Sequence, residues 1–100
     1  MDFEVIWTQP AADQLEQVIR FIAADQPVAA EQVRADILTH VETLSKLPFL
    51  GSVYEKDRSG RAREILCGKY RIFYRVDEPA RRVEVLTVWH GARREPRLRQ

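Results

Sequence analysis

The spacing of apolar positions changes several times along the chain, and each change predicts a different element. Residues 3–8, FEVIWT, alternate between faces and are rich in β-formers, which predicts a strand. Apolar residues then recur at helical spacing from Ala11 to Ile22 and again from Ala30 to Leu44. Three strand-like runs follow, AREILC (62–67), KYRIFYRV (69–76) and RVEVLTVW (82–89). The predicted order is therefore β-α-α-β-β-β.

Capping and turn residues set the expected boundaries. Thr8 is the expected N-cap of the first helix, with Pro10 in its first turn, and Asp25 is the expected cap of the second. Residues 48–60 contain proline, glycine and many polar side chains, which predicts a loop with a short edge element at Val53–Tyr54.

These elements predict a single α+β domain over residues 1–100, with a polar tail at 91–100. Short connections favour an antiparallel sheet, and two adjoining amphipathic helices favour a helical hairpin packed on one face of it. Side chains alternate in the strand at 69–76. Those expected to face the helices are Tyr70, Ile72, Tyr74 and Val76, whereas Lys69, Arg71, Phe73 and Arg75 lie on the face left open to solvent.

Composition excludes several classes of protein. The chain is 45% hydrophobic and 31% charged, unlike a disordered chain, and no apolar run is long enough to span a membrane. Cys67 is the only cysteine, so no intramolecular disulfide can form, and a reducing, cytoplasmic setting is expected. His40 and His90 lie far apart in sequence, and no phosphate-binding glycine-rich loop is present, so we expect neither a metal nor a cofactor.

Charge is divided unevenly between the halves of the chain. Residues 1–50 hold eight acidic and three basic side chains, and residues 51–100 hold seven acidic and thirteen basic ones. An arginine-rich half favours a nucleic acid or an acidic protein segment as partner. The residues that could form such a surface are Arg63, Lys69, Arg71, Phe73, Arg75, Arg93 and Arg94.

Gly91 can turn the chain and so bring Arg93 beside Arg71 on the open face. The alternative is that these arginines only keep the sheet soluble and discourage edge pairing. Glu64 is expected to pair with a neighbouring arginine. His90, at a strand end, is either a general acid or base or a structural hydrogen-bonding residue.

The sequence resembles the RelE/ParE superfamily, the toxin components of bacterial type II toxin–antitoxin modules. The resemblance runs from about residue 3 to residue 94 and is carried by IAADQPVAA at the helix junction, REILCGKYRIFYRV in the central strands and VLTVWHGARR at the end. It implies a growth-inhibiting toxin, of the kind that stabilises plasmids, held inactive in a hetero-oligomer with a cognate antitoxin. Superfamily antitoxins often add a strand to the toxin or lay a helix on its hairpin.

Members of the superfamily act on different targets. RelE-like members cleave mRNA on the ribosome with a basic cluster and a C-terminal tyrosine or histidine, and Arg71 and Arg93 match that cluster here. The resemblance thus makes Arg71, Arg93 and His90 the catalytic candidates if the chain is an endoribonuclease.

Two departures favour the ParE-like branch, whose members inhibit DNA gyrase by binding. Glu64 stands where mRNA-cleaving relatives tend to carry lysine, and the tail after Arg94, EPRLRQ, has no tyrosine or histidine. Loss of a proton-transfer group lowers a rate by roughly a hundredfold to ten-thousandfold. The D-x-P-x-AA junction at residues 25–30 is also more typical of ParE-like sequences. Gyrase inhibition is therefore expected, with mRNA cleavage and a non-toxic antitoxin-binding relative as the alternatives.

Overall fold

Two helices pack on one face of a five-stranded sheet in residues 2–91, the part of the chain that the computed structural model describes. In chain order the elements are β1 (Glu4–Trp7), α1 (Gln9–Ala23), α2 (Pro27–Glu42), a 3₁₀ turn (Thr43–Ser45), β2 (Ser52–Val53), β3 (Ala62–Cys67), β4 (Tyr70–Asp77) and β5 (Arg82–His90). The predicted α+β class and element order are confirmed. The edge element is β2, one residue earlier than predicted. Neither helix in this range has the length and apolarity needed to cross a bilayer.

The sheet is mixed, and the prediction of a wholly antiparallel sheet was wrong in this respect. Its strand order is β1-β5-β4-β3-β2, and β1 runs parallel to β5, with Val5 opposite Val83. The other three pairings are antiparallel. An alternating pattern is the same for both kinds of pairing, so residues 3–8 predicted a strand but did not identify its neighbour.

The first helix cap was predicted correctly and the second was not. The Thr8 hydroxyl accepts a hydrogen bond from the Ala11 N–H (3.4 Å) and donates one to the Val85 carbonyl (2.7 Å), which ties α1 to the sheet. Gln26, rather than Asp25, precedes α2, and its side chain makes no capping hydrogen bond. The Asp25 N–H bonds back to the Ile22 carbonyl, so this residue belongs to the turn that ends α1.

The main core lies between the helices and the sheet, as the alternation in β4 predicted. Ile72 and Tyr74 are fully buried, Ile72 in one cluster with Ile37 of α2 and Tyr74 in another with Leu44. The Tyr74 hydroxyl accepts a hydrogen bond from the Gly51 N–H (2.8 Å), which fixes the segment after α2 against the sheet.

The opposite face of the sheet is partly covered, contrary to the expectation that it is open. Tyr54, in the segment between β2 and β3, contacts Phe73 edge-to-face with ring centroids 4.7 Å apart, and Ala62 completes this second small core. The Asp57 carboxylate holds the segment in place because it accepts hydrogen bonds from the backbone N–H groups of Arg61 (3.2 Å) and Ala62 (3.0 Å). Phe73 is therefore fully buried.

Candidate functional site

Arg71 of β4 lies on the face of the sheet away from the helices, as predicted, but its charge is already paired. Its Nε is 2.8 Å from a carboxylate oxygen of Glu64 on β3, and the two side chains are only 16% and 21% exposed. The guanidinium carbon also lies 4.9 Å from the centre of the Phe73 ring and 5.7 Å from that of Tyr54. The expected pairing of Glu64 with an arginine is confirmed, and this pair largely neutralises the position.

The same face carries two more ion pairs. Arg75 Nε is 3.2 Å from a carboxylate oxygen of Glu84, and Arg82 Nη2 is 3.6 Å from a carboxylate oxygen of Asp77. Each arginine that β4 or β5 contributes to this face thus has a carboxylate beside it. The face predicted to be basic is a mosaic of both signs, whose long-range field is weak.

Two of the residues predicted to form the basic surface, Phe73 and Arg63, do not take part in it. Phe73 offers no exposed ring for stacking, because Tyr54 and Ala62 cover it. Arg63 is opposite Tyr74 in the β3–β4 register and so lies on the helix side of the sheet. It donates hydrogen bonds to the carbonyls of Gly51 (2.7 Å) and Phe49 (3.4 Å), and its guanidinium lies 5.0 Å from the centre of the Phe49 ring.

Lys69 and His90 lie at the same end of the sheet, where β3 turns into β4. Both border a shallow depression that Arg71 and Leu66 also line. The Gly91 N–H donates to the Lys69 carbonyl (2.8 Å) and closes this corner. His90 contacts Tyr70 edge-to-face, with ring centroids 5.4 Å apart, and it projects from the face opposite to that of Arg71.

Arg93 and Arg94 lie outside the described residues. The predicted approach of Arg93 to Arg71 and the role of the 91–100 tail therefore stay predictions.

Cys67 and His40 come together without forming an activated thiol. Cys67 Sγ is 3.5 Å from His40 Nδ1, but the same nitrogen is 2.7 Å from the Asp36 carbonyl, which can only accept, so Nδ1 carries its proton. Burial raises the pKa of the Cys67 thiol, and so does the negative charge of Asp36. Both effects disfavour the thiolate that a nucleophile needs. Within residues 2–91, no group of three His, Cys, Asp or Glu side chains could hold a metal ion.

Sequence reasoning missed an apolar surface beside β2. Phe49, Leu50 and Val53 are exposed within the predicted loop at 48–60, Val53 in its expected edge element, and Leu47 just before that loop is exposed too. Leu66 of β3 is 68% exposed. The available signal was composition, because four large apolar side chains within seven residues are unusual for a solvated loop. We refer to Leu47, Phe49, Leu50, Val53 and Leu66 together as the apolar edge.

Comparisons with known proteins agree with this architecture. One solved structure, the chromosomal ParDE toxin–antitoxin system of P. aeruginosa, superposes with a TM-score of 0.74 at 18% identity, covering 88% of this chain and 95% of the other. The toxin–antitoxin complex RelBE2 of Mycobacterium tuberculosis gives a TM-score of 0.68 at 22% identity, covering 90% and 99%. At these identities, the two structures establish the shared fold.

Sequence comparison establishes the family. The protein Y4kP of Sinorhizobium fredii, named as a candidate toxin, is 35% identical over 97 residues, which span 92% of each chain. Residues 5–95 match the sequence model described as the ParE toxin of the type II toxin–antitoxin system, parDE. The chain belongs to the ParE toxin family of type II toxin–antitoxin systems.

Proposed function

We propose that this toxin arrests bacterial growth by binding and inhibiting DNA gyrase, and that a cognate antitoxin neutralises it. The observation that carries the choice of target is the Glu64–Arg71 ion pair. An RNA-cleaving site must stabilise the negative charge that develops on a phosphate, and free cations aimed at that phosphate are the usual means. Here a carboxylate 2.8 Å from Arg71 would repel the same phosphate.

The arrangement of proton-transfer candidates supports the same choice. Cleavage next to a ribose 2′-hydroxyl requires an acid and a base close to the same phosphate. His90 and Arg71 project from opposite faces of the sheet, and Cys67 is buried with a raised pKa. The described residues therefore suit recognition of a protein better than catalysis.

An antitoxin partner is supported by the comparisons. The two solved structures compared above are of toxin–antitoxin systems, and this chain covers 95% and 99% of the matched chains. We infer that this protein, too, is held in a hetero-oligomer with an antitoxin.

The deciding experiment measures gyrase directly. Folded, antitoxin-free protein is titrated into gyrase supercoiling and DNA-cleavage assays, with and without antitoxin. We expect lost supercoiling or accumulated cleaved DNA, reversed by antitoxin. Removal of residues 92–100 should lower potency more than Arg71→Ala does, and Arg20→Ala, an exposed arginine of α1, serves as the control. Normal gyrase activity in the presence of protein shown to be folded would refute the proposal.

Ribosome-dependent mRNA cleavage is the second candidate, because Lys69, Arg71 and His90 all border one depression. It predicts cuts in mRNA only when ribosomes are present, abolished by Arg71→Ala and by Arg93→Ala. It also predicts that Glu64→Gln raises the cleavage rate, because the substitution releases Arg71 from its carboxylate. A gyrase inhibitor should show no mRNA cleavage with any of these variants. A lack of growth arrest on expression would instead favour a non-toxic antitoxin-binding relative.

A further inference from the structure

We propose that the toxin binds gyrase through the apolar edge, and that the gyrase surface it meets is folded, apolar at its centre and acidic around it. This inference rests on the proposed function, because it names the toxin surface that would contact that target. It adds a prediction that the choice of target alone does not make, namely that inhibition depends on the apolar side chains beside β2.

The apolar edge holds most of the large apolar side chains that the described residues leave in contact with solvent. Eight such side chains are exposed in this part of the chain, and five of them belong to the apolar edge. They also lie close together, because Leu50 and Leu66 line one groove of about 440 Å³ and the Leu50 N–H donates to the Leu47 carbonyl (3.1 Å). A patch of exposed apolar side chains usually marks a contact with another molecule, and it supplies the buried centre of a protein interface.

The segment that carries most of this patch is held in one conformation before any partner binds. The Gly51 N–H donates to the buried Tyr74 hydroxyl (2.8 Å), and Arg63 donates to the carbonyls of Gly51 (2.7 Å) and Phe49 (3.4 Å). The Arg63 guanidinium also lies 5.0 Å from the centre of the Phe49 ring. A surface that is ordered in advance loses little conformational entropy when a folded partner docks on it. The apolar edge therefore suits a folded partner such as an enzyme.

The charge around the patch indicates the chemistry of that partner. Residues 46–63 contain five basic side chains and two acidic ones, Glu55 and Asp57. Asp57 is buried, and its carboxylate accepts hydrogen bonds from the N–H groups of Arg61 and Ala62, so it contributes little to the outer field. The arginines of the neighbouring sheet face, by contrast, are paired with carboxylates. A positive rim around an apolar centre favours a partner whose matching rim is acidic.

The apolar edge is continuous with the place where the tail begins. Leu66 lines the groove beside Leu50, and it also lines the shallow depression that Gly91 borders. Residues 92–100 follow directly and hold four arginines and one glutamate, so they have the same sign of charge as the rim. The proposed function gives this tail a larger part in gyrase inhibition than Arg71. A partner seated on the apolar edge reaches the start of the tail, so one contact surface would account for the roles of both.

Other occupants fit this surface less well. A second copy that docked on the same edge across a twofold axis would set the two positive rims against each other. A nucleic acid would match the charge but would leave Leu47, Leu50 and Leu66 without apolar partners. A folded protein with an acidic, apolar surface satisfies both features.

Inhibition of gyrase by side-chain variants tests the apolar centre. Whole, antitoxin-free toxin is titrated into a gyrase supercoiling assay, and the concentration that gives half inhibition is measured. We expect Leu50→Ser, Leu66→Ser to raise this concentration at least about tenfold, since both side chains lose their apolar contacts with gyrase. The matched control is Phe21→Ser, Val28→Ser, whose side chains are 84% and 85% exposed on either side of the turn between α1 and α2. It should change the concentration by less than about twofold.

A second pair of variants tests the charge of the rim. Arg58→Glu reverses an exposed cation in the segment between β2 and β3, and Arg20→Glu makes the same change on α1. We expect Arg58→Glu to slow association with immobilised gyrase and to reduce its dependence on salt, because charges at the rim of an interface act mainly on the association rate. Arg20→Glu should change both quantities much less. Equal effects of the two variants would overturn the acidic rim, because only the net charge of the toxin would then matter.

Hydrogen exchange maps the contact in the wild type, so it does not depend on whether the variants fold. Peptides spanning residues 46–54 should exchange at least about fivefold more slowly in the toxin–gyrase complex than in the free toxin. Peptides spanning residues 20–30 should exchange at the same rate in both. Slower exchange of residues 46–54 that rises with toxin concentration, without gyrase, would place a second copy on the apolar edge and overturn the proposal.

Failure of this inference and failure of the proposed function give different results. If the folded wild type neither inhibits nor binds gyrase, the proposed target is wrong and this inference falls with it. If the wild type inhibits gyrase but Leu50→Ser, Leu66→Ser inhibits equally, or residues 46–54 are not protected, only the surface is wrong. The surface is also wrong if the control pair loses as much inhibition. A double variant that inhibits gyrase but escapes neutralisation by antitoxin would show that the apolar edge serves the antitoxin alone.

Discussion

Replacing Tyr74 with phenylalanine removes one oxygen atom from the centre of the fold. The Tyr74 side chain is fully buried, and its hydroxyl accepts the hydrogen bond of the buried Gly51 N–H at 2.8 Å. Phenylalanine keeps the ring in place but leaves this N–H without a partner. A buried, unsatisfied donor costs about 1–3 kcal/mol. For a domain of this size, a loss of about 2 kcal/mol lowers the Tm by roughly 8–16 °C.

Urea denaturation monitored by tryptophan fluorescence measures this loss. We expect the midpoint to fall with an unchanged m-value, because the folded state stays compact. The Gly51 amide should exchange faster in the variant, because it has lost the hydroxyl that accepts its hydrogen bond. That hydrogen bond also anchors the segment that carries most of the apolar edge. The control is Tyr70→Phe, a partly exposed tyrosine of the same strand, and it should cost less.

Alkaline pH provides an independent check on the same residue. Burial raises the pKa of Tyr74 above its ordinary value of 10.0, against the opposing influences of the Gly51 hydrogen bond and of Arg63. As the pH rises, Tyr74 therefore loses its phenolic proton in the unfolded chain before it does so in the folded one. The contribution of the protonated Tyr74 to the free energy of unfolding is complete below pH 10 and is lost as the pH rises above it. Phenylalanine lacks this dependence, so the stability gap between wild type and variant should narrow above pH 10. A gap that stays constant, or an unchanged urea midpoint at neutral pH, would refute the assignment of a buried, hydrogen-bonded hydroxyl.

Three further substitutions or measurements test other contacts. Gly51→Ala should destabilise the fold by about 3 kcal/mol or more, because an added Cβ would lie 2.7 Å from the Tyr74 hydroxyl; unfolding by urea measures it. Gln14→Ala removes the acceptor of the Val88 N–H (3.0 Å), so we expect a loss of about 1 kcal/mol and faster exchange of that amide. Cys67 should react with a thiol reagent at pH 8 only after the chain unfolds, since burial both shields the thiol and raises its pKa; rapid labelling of the folded protein would contradict this.

The local elements were predictable because each is encoded in contiguous residues. The apolar spacing of α1, the Thr8 cap and the alternation of Ile72 and Tyr74 all appear in the structure as the sequence predicted. The prediction of Asp25 as the N-cap of α2 was wrong because either of two adjacent polar residues, Asp25 and Gln26, could hold that position. Asp25 belongs instead to the turn that ends α1.

The features that the sequence did not predict are those that depend on which segments of the chain come to lie side by side. The mixed sheet arises because β1 lies beside β5, a choice that leaves no trace in the alternation of either strand. The sheet face could not be recognised as neutral from composition, because the pairing of Arg75 with Glu84 requires the β4–β5 register. Phe73 was expected to be exposed, since nothing in its own strand indicates that Tyr54 folds over it.

The parallel pairing of β1 with β5 also bears on how the protein is made. The Thr8 hydroxyl bonds to the carbonyl of a residue 77 positions later, and β5 is the only strand beside β1 in the described sheet. At translation rates of about 5–20 residues per second, β1 waits roughly 4–15 s for its partner to be synthesised. During this interval the helical hairpin has no complete sheet to cover. Folding thus depends on contacts of long sequence separation, which form slowly. The nascent toxin passes through a period in which its apolar strand residues are accessible to chaperones.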